Sequence, residues 1–243
     1  MIVTEYLLSE SFSGVNQLQA NGTVVSGNSS PSGVVGRLEI INGVMCATVN
    51  SGDMQTSLGH RSEIRAQNDV IGEFWYTWDM LIPTSWESDI AMSVMQIHDS
   101  PDGGDNPRFP NFLLTVEDDS LVVLVPSATL PTEGVNGTRV AVEPLQKGQW
   151  LNFCLHVSWQ TSATGFRELF INKTPVYKQF SVATHYADTN GPYLKIGVYD
   201  YYHVGSFLEK TAYFRNVRIW SGNDGYQQVM GGLPESKRLK IML

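Results

Sequence analysis

QWLNFCLHVSWQTSATGFRELFINKTPVYKQF (149–180) is the stretch that decides the fold. Its two halves, QWLNFCLHVSWQ and RELFINKTPVYKQF, are dense in aromatic and β-branched residues, and TSATG between them is turn chemistry. The spacing W-x-x-F-x-x-x-V-x-W, then a turn, then F-I-N-x-x-x-V, predicts a long hairpin whose strands pack through their aromatics. Outward from it the same grammar repeats. FLLTVEDDSLVVLVP (112–126) reads as a hairpin turning at EDDS, and GEFWYTWDMLIP (72–83) as a strand with one face in a core, stopped by Pro83. Residues from about Leu7 to Val49 read as short strands broken by NG and GNSSPSG turns, and AYFRNVRIW (212–220) as the last strand.

With 22 Gly and 11 Pro in 243 residues and no internal repeat, brief strands joined by turns account for the whole chain. The expectation is one all-β domain over 1–243, a β-jelly roll sandwich of two antiparallel sheets with a concave cleft. Its core spans about 7–222, and a polar tail follows at 223–243 ending in ESKRLKIML. An apolar fraction of 42% argues against disorder.

A net charge of −8, with no basic run before the tail, excludes a nucleic-acid binder, since phosphate binding needs a basic surface. No stretch approaches membrane-span length, so no membrane partner is expected. MIVTEYLLSESFSG lacks the basic start and apolar core of a signal peptide; the expected location is extracellular or virion-associated, reached by another route or after trimming. Cys46 and Cys154 lack CxxC or His spacing, which removes support for a metal or redox site and leaves buried thiols or one disulfide open. Sequons begin at Asn21, Asn28, Asn136 and Asn172.

Three strands carry polar stripes. Side chains alternate along a strand, so HRSEIRAQ (60–67) places Arg61, Glu63, Arg65 and Gln67 on one face. MQIHD (95–99) pairs Gln96 with His98, and YLKIGVYDY (193–201) aligns Tyr193, Lys195, Gly197, Tyr199 and Tyr201. Taken singly, each reads more readily as a solvated outer face or as packing. Together, Arg, Gln, His, Lys and Tyr match the needs of eliminative cleavage of a uronic-acid polymer. There the carboxylate charge must be offset, for which Arg61 and Gln96 are candidates. A base must take the C5 proton: His98, with His60 as rival. An acid must protonate the leaving oxygen, a task for Tyr199, which shuttles the proton itself if nearby cations lower its pKa. Lys195 lies near it, and Gly197 is read as an open patch for the approaching polymer.

In these residues the chain resembles the jelly-roll polysaccharide lyases, the group of alginate lyases, glucuronan lyases and heparin-lyase-I-like enzymes. RSEIR (61–65), QIH (96–98) and YLKIGVY (193–199) match that group's R-S-E-L-R, Q-I-H and Y-F-K-x-G-x-Y strands in the same order. The resemblance implies that Arg61 and Gln96 hold the uronate carboxylate, that His98 is base, and that Tyr199 is acid, or base and acid. Substrate contacts are expected at His60, Glu63, Arg65, Lys195, Tyr193 and Tyr201. Two departures stand out: Asp200 and Tyr201 follow Tyr199 where alginate-type sequences continue Y-x-Q, and His60 precedes the first Arg. His60, together with the WYTWDMLIP and QKGQWLNFCLHVSW context, leans toward the glucuronan-lyase or heparin-lyase-like branches.

The expected partner is thus an acidic polysaccharide, no cofactor is required, and the only candidate for a structural calcium ion is the loop carrying Asp99, Asp102 and Asp105. A polyanionic substrate sits against the net charge unless basic groups gather in the cleft. Two rivals are a non-catalytic carbohydrate-binding or virion adhesion module, which needs no His and Tyr at proton-transfer positions, and a glycoside hydrolase, which needs paired carboxylates. No E-x-D-x-x-E strand is present, and Glu117–Asp118–Asp119 reads as a turn.

Overall fold

Alternation of large apolar residues drives two sheets together. The computed structural model describes residues 6–7, 17–20, 23–26, 37–41, 44–53, 55, 59–65, 71–103, 108–126, 137–201 and 206–222. The tail 223–243, Gln67, Asp105, Asn21, Asn28 and Asn136 lie outside them.

The early strands are β1 (Tyr6–Leu7), β2 (Gln17–Ala20), β3 (Thr23–Ser26), β4 (Leu38–Ile41) and β5 (Val44–Val49). Then come β6 (Arg61–Arg65), β7 (Gly72–Leu81), β8 (Met92–His98), β9 (Phe112–Glu117), β10 (Ser120–Pro126) and β11 (Gly137–Pro144). The series ends with β12 (Leu151–Trp159), β13 (Gly165–Ile171), β14 (Thr174–Val182), β15 (Tyr193–Tyr199) and β16 (Lys210–Ser221).

One sheet runs β14-β13-β12-β7-β16-β5-β4, with β1 also on β16; the other runs β11-β10-β9-β8-β15-β6, and β2-β3 form a separate ribbon. Every pairing is antiparallel. The expected all-β sandwich is therefore present, and 149–180 supplies β12, β13 and most of β14.

Between the sheets, Phe74, Tyr76, Trp78 and Met80 of β7 meet Phe153, Leu155 and Val157 of β12 and, from the facing sheet, Met95, Ile97, Leu114, Val123 and Ile196. Trp78 and Phe153 stack at 5.1 Å, and Trp159 donates its indole N–H to the Tyr76 hydroxyl at 2.9 Å. Such a filled contact leaves a void when truncated. Phe153→Ala is expected to cost about 3–5 kcal/mol, read from the urea midpoint at unchanged m-value.

The short hairpins turn as their residues allow. Asp118 and Asp119 (φ 47° and 55°) link β9 to β10, and Asn172 and Lys173 (φ 49° and 64°) link β13 to β14. Two consecutive left-handed residues give the turn whose twist matches that of the strands. The turn reading of Asp118–Asp119 therefore holds. Glu117 instead ends β9, buried, accepting from the Thr115 hydroxyl and paired with Arg139.

Candidate active site

The order β8-β15-β6 lays the three polar stripes side by side. Ile64, Leu194, Ile196, Val198, Met95 and Ile97 all enter the core, so their alternating neighbours face outward together. Register fixes the rows. Tyr193 opposes His98; Lys195 stands between Arg65 and Gln96; Gly197 opposes Glu63; Tyr199 stands between Arg61 and Ser93. The basic residues Arg61 and Lys195 thus share the face, which places positive charge there locally.

One irregularity adjusts the spacing. Between Ile196 and Tyr199 the β15–β8 register slips, so that Tyr199 meets Ser93 rather than Met92. A bulge re-aims side chains in this way. Tyr199 is carried one residue, about 3.3 Å, toward the His98 end. The bulge includes Gly197 at φ 148°, where an added Cβ would fall on the Ser62 carbonyl oxygen and within 2.7 Å of Glu63 Cα. Gly197 is therefore required by the close approach of β6. Its expected role as room for the polymer is corrected: the neighbouring backbone occupies that space.

Glu63 organises the middle of the face. Only 3% exposed, it accepts from Gln96 Nε2 at 2.6 Å and has Arg61 3.8 Å from its second oxygen. Arg61 also lies over the Tyr199 ring, 4.0 Å from its centre. Burial raises the Tyr199 pKa above the usual tyrosine value of 10.0; Arg61 opposes this, while Glu63 and Asp200 add to it. The lowered pKa allowed for in the sequence is therefore not found, because burial outweighs the nearby cation. Tyr199 is a protonated phenol at neutral pH.

His98 ends β8 half-exposed, stacked at 5.7 Å on Tyr193. Its Nδ1 is hydrogen-bonded to the Asp99 carbonyl oxygen at 3.0 Å and lies 2.9 Å from the Asp99 carboxylate. A proton held on Nδ1 by that carbonyl would leave the lone pair on Nε2. Lys195 Nζ lies 5.6 Å from the Tyr193 ring centre.

Tyr201 sits 6.5 Å from Tyr199 and, with Phe109, covers an apolar flank of Leu113, Val122 and Leu124. His60 is placed differently from the others. It is 3% exposed and pairs through Nδ1 with the fully buried Asp200 at 3.2 Å, behind the stripe. The expectation of a substrate contact there gives way to a buried hydrogen-bonded pair.

Strand alternation did not point to Asp99, since successive side chains face opposite ways. β8 stops at His98, however, so that rule lapses one residue later. Beyond it, Thr189 donates to Asp102, and Arg108 pairs with Asp188 at 2.6 Å. Among the described residues no group of three His, Cys, Asp or Glu is placed to hold a metal. Cys46 and Cys154 are free thiols, with Cys154 buried and its pKa pushed up by that burial.

Residues 37–218 match the family described as polysaccharide lyase. No curated protein matches the chain by sequence. Among solved structures it is similar to the endo-β-1,4-glucuronan lyase of the fungus Trichoderma reesei, at 16% identity and TM-score 0.68, over 87% of this chain and 96% of that one. It is also similar to an alginate lyase of polysaccharide lyase family 7, at 16% identity and TM-score 0.61, over 78% and 85%. A third is an alginate lyase from Pseudomonas aeruginosa, at 17% identity and TM-score 0.58, over 76% and 86%. These likenesses agree with the jelly-roll sandwich, and the family match extends from Arg37 across all three stripes: the chain belongs to the polysaccharide lyase family.

Proposed function

We propose that the chain cleaves a uronate polymer by β-elimination, with His98 as base and Tyr199 as acid on one cleft face. The observation that carries this is the shared face itself, on which His98, Tyr199, Arg61 and Gln96 stand together. His98 and Ser93, the rung partner of Tyr199, lie five residues apart on β8, roughly 16 Å at 3.3 Å per residue. The Lys195–Gln96 rung lies between them.

The ring to be cleaved lies over that rung. Arg61 and Gln96, both oriented by Glu63, meet its carboxylate and stabilise the charge that develops there as the C5–H bond breaks. The proton passes to His98 Nε2, C4=C5 forms, the C4–O4 bond breaks, and Tyr199 gives its proton to O4. Solvent then resets both groups. Asp99 keeps the imidazole in the productive tautomer throughout. Tyr193, Lys195 and Tyr201 border the same face and serve as substrate contacts.

Glucuronan and alginate, named in the structural neighbours, are uronate polymers and head the list of substrates to test. Incubation with alginate, polyglucuronate, heparin and bacterial capsule should raise near-ultraviolet absorbance from 4,5-unsaturated ends on at least one. No rise on any would refute the proposal. On the active polymer, His98→Ala should remove turnover by about 10²–10⁴-fold; wild-type turnover in that variant would transfer the base role elsewhere.

A pH dependence follows from the buried phenol. Because its pKa is raised, Tyr199 remains an acid through pH 10.0, the ordinary tyrosine value. Loss of activity through Tyr199 ionisation should begin only above that value, provided melting curves show the fold intact there. An alkaline limb well below it that disappears in Tyr199→Phe would contradict this.

A further inference from the structure

The two departures from the alginate-type pattern, His60 and Asp200, turn out to be each other's partners. His60 Nδ1 lies 3.2 Å from Asp200 Oδ2, and the Asp200 backbone N–H donates to the His60 carbonyl at 2.9 Å. These contacts add one rung beyond Arg61–Tyr199, the last register pair of β6 and β15. Being next in sequence to that pair, their side chains turn to the opposite side, where Asp200 is fully buried and the His60 ring packs edge-on against Phe207 at 5.4 Å.

A buried carboxylate is costly, and one polar partner seldom repays that cost in stability alone. Strand ends also fray, and the end of this ladder carries the proposed acid. We infer that the buried His60–Asp200 pair is a positioning device for the acid arm, closing the ladder so that Tyr199 and Arg61 keep their stacked geometry and the phenol meets O4. The charge of Asp200 also raises the proton affinity of Tyr199, in keeping with that role. This rests on the reading of Tyr199 as acid. His60 then acts through Asp200 and touches no substrate.

The test uses Asp200→Asn and His60→Gln in the full chain on two substrates. One is the active polymer. The other is a uronate oligosaccharide whose C4 leaving group is 4-nitrophenolate, which departs without a proton. On the polymer each variant should lose kcat by roughly 10–100-fold with KM changed less than about two-fold.

On the aryl substrate the deficit of both variants should vanish, as should that of Tyr199→Phe, whereas His98→Ala should stay impaired. Wild-type kcat on the polymer overturns the inference. So does an equal deficit on both substrates while Tyr199→Phe is rescued. If Tyr199→Phe itself is not rescued, the acid reading fails and the inference fails with it. Melting curves accompany each assay, and if neither variant folds, the pair is a structural clamp only and the inference is overturned.

Discussion

Tyr199→Phe should lower kcat on the active polymer by roughly 10²–10⁴-fold and leave KM nearly unchanged. The phenol proton is needed only as the C4–O4 bond breaks, and an interaction made only in the transition state appears in kcat. Arg61 stacks on the ring and not on the hydroxyl oxygen alone, so phenylalanine keeps the packing. The measurement is steady-state kinetics by absorbance of unsaturated ends, together with polymer binding by calorimetry. A variant with wild-type kcat would exclude Tyr199 as the acid; one that lost binding in proportion would assign it to substrate contact.

The second large effect is expected at Gly197. A Cβ there meets the Ser62 carbonyl and Glu63 Cα at a backbone φ of 148°. Backbone strain of about 1–3 kcal/mol adds to an overpacking cost of about the same size. Their sum is a large share of ordinary domain stability, roughly 5–15 kcal/mol. Gly197→Ala should therefore melt far below wild type or fail to fold, whereas Gly103→Ala, with nothing within 4 Å of its Cβ, should melt normally. Because neither contact is a flexible side chain, relief requires β6 and β15 to separate. Any Gly197→Ala protein that does fold should show depressed kcat, since that separation disturbs the Arg61–Tyr199 rung.

How far such residues were legible varies with the range of the interaction that places them. The hairpins at EDDS and at 160–165 follow from local turn chemistry and alternation, and they formed where expected. The facing of Gln96 with His98, and of Lys195 with Tyr199, follows from period two within a single strand. That β15 would lie between β8 and β6 does not follow from any local pattern, and the sheet pairing alone supplied it.

Chemistry at the strand ends was least legible. Asp99 sits where alternation stops applying, and the His60–Asp200 pair joins residues 140 positions apart. Gly197 was misread for a related reason. A glycine on a polar stripe suits an approaching ligand as well as an approaching strand, and only the β6 register distinguishes them. The Tyr199 pKa likewise depends on how deeply the fold buries the ring, a quantity that neighbouring cations in the sequence do not reveal.

The most direct test of the account is the mass of the products formed in water enriched in heavy oxygen. Elimination breaks C4–O4 without adding water. The account predicts oligosaccharides with one 4,5-unsaturated end, one water lighter than hydrolysis products and free of solvent oxygen at the cleaved linkage. Saturated products carrying one heavy oxygen per cut would contradict it.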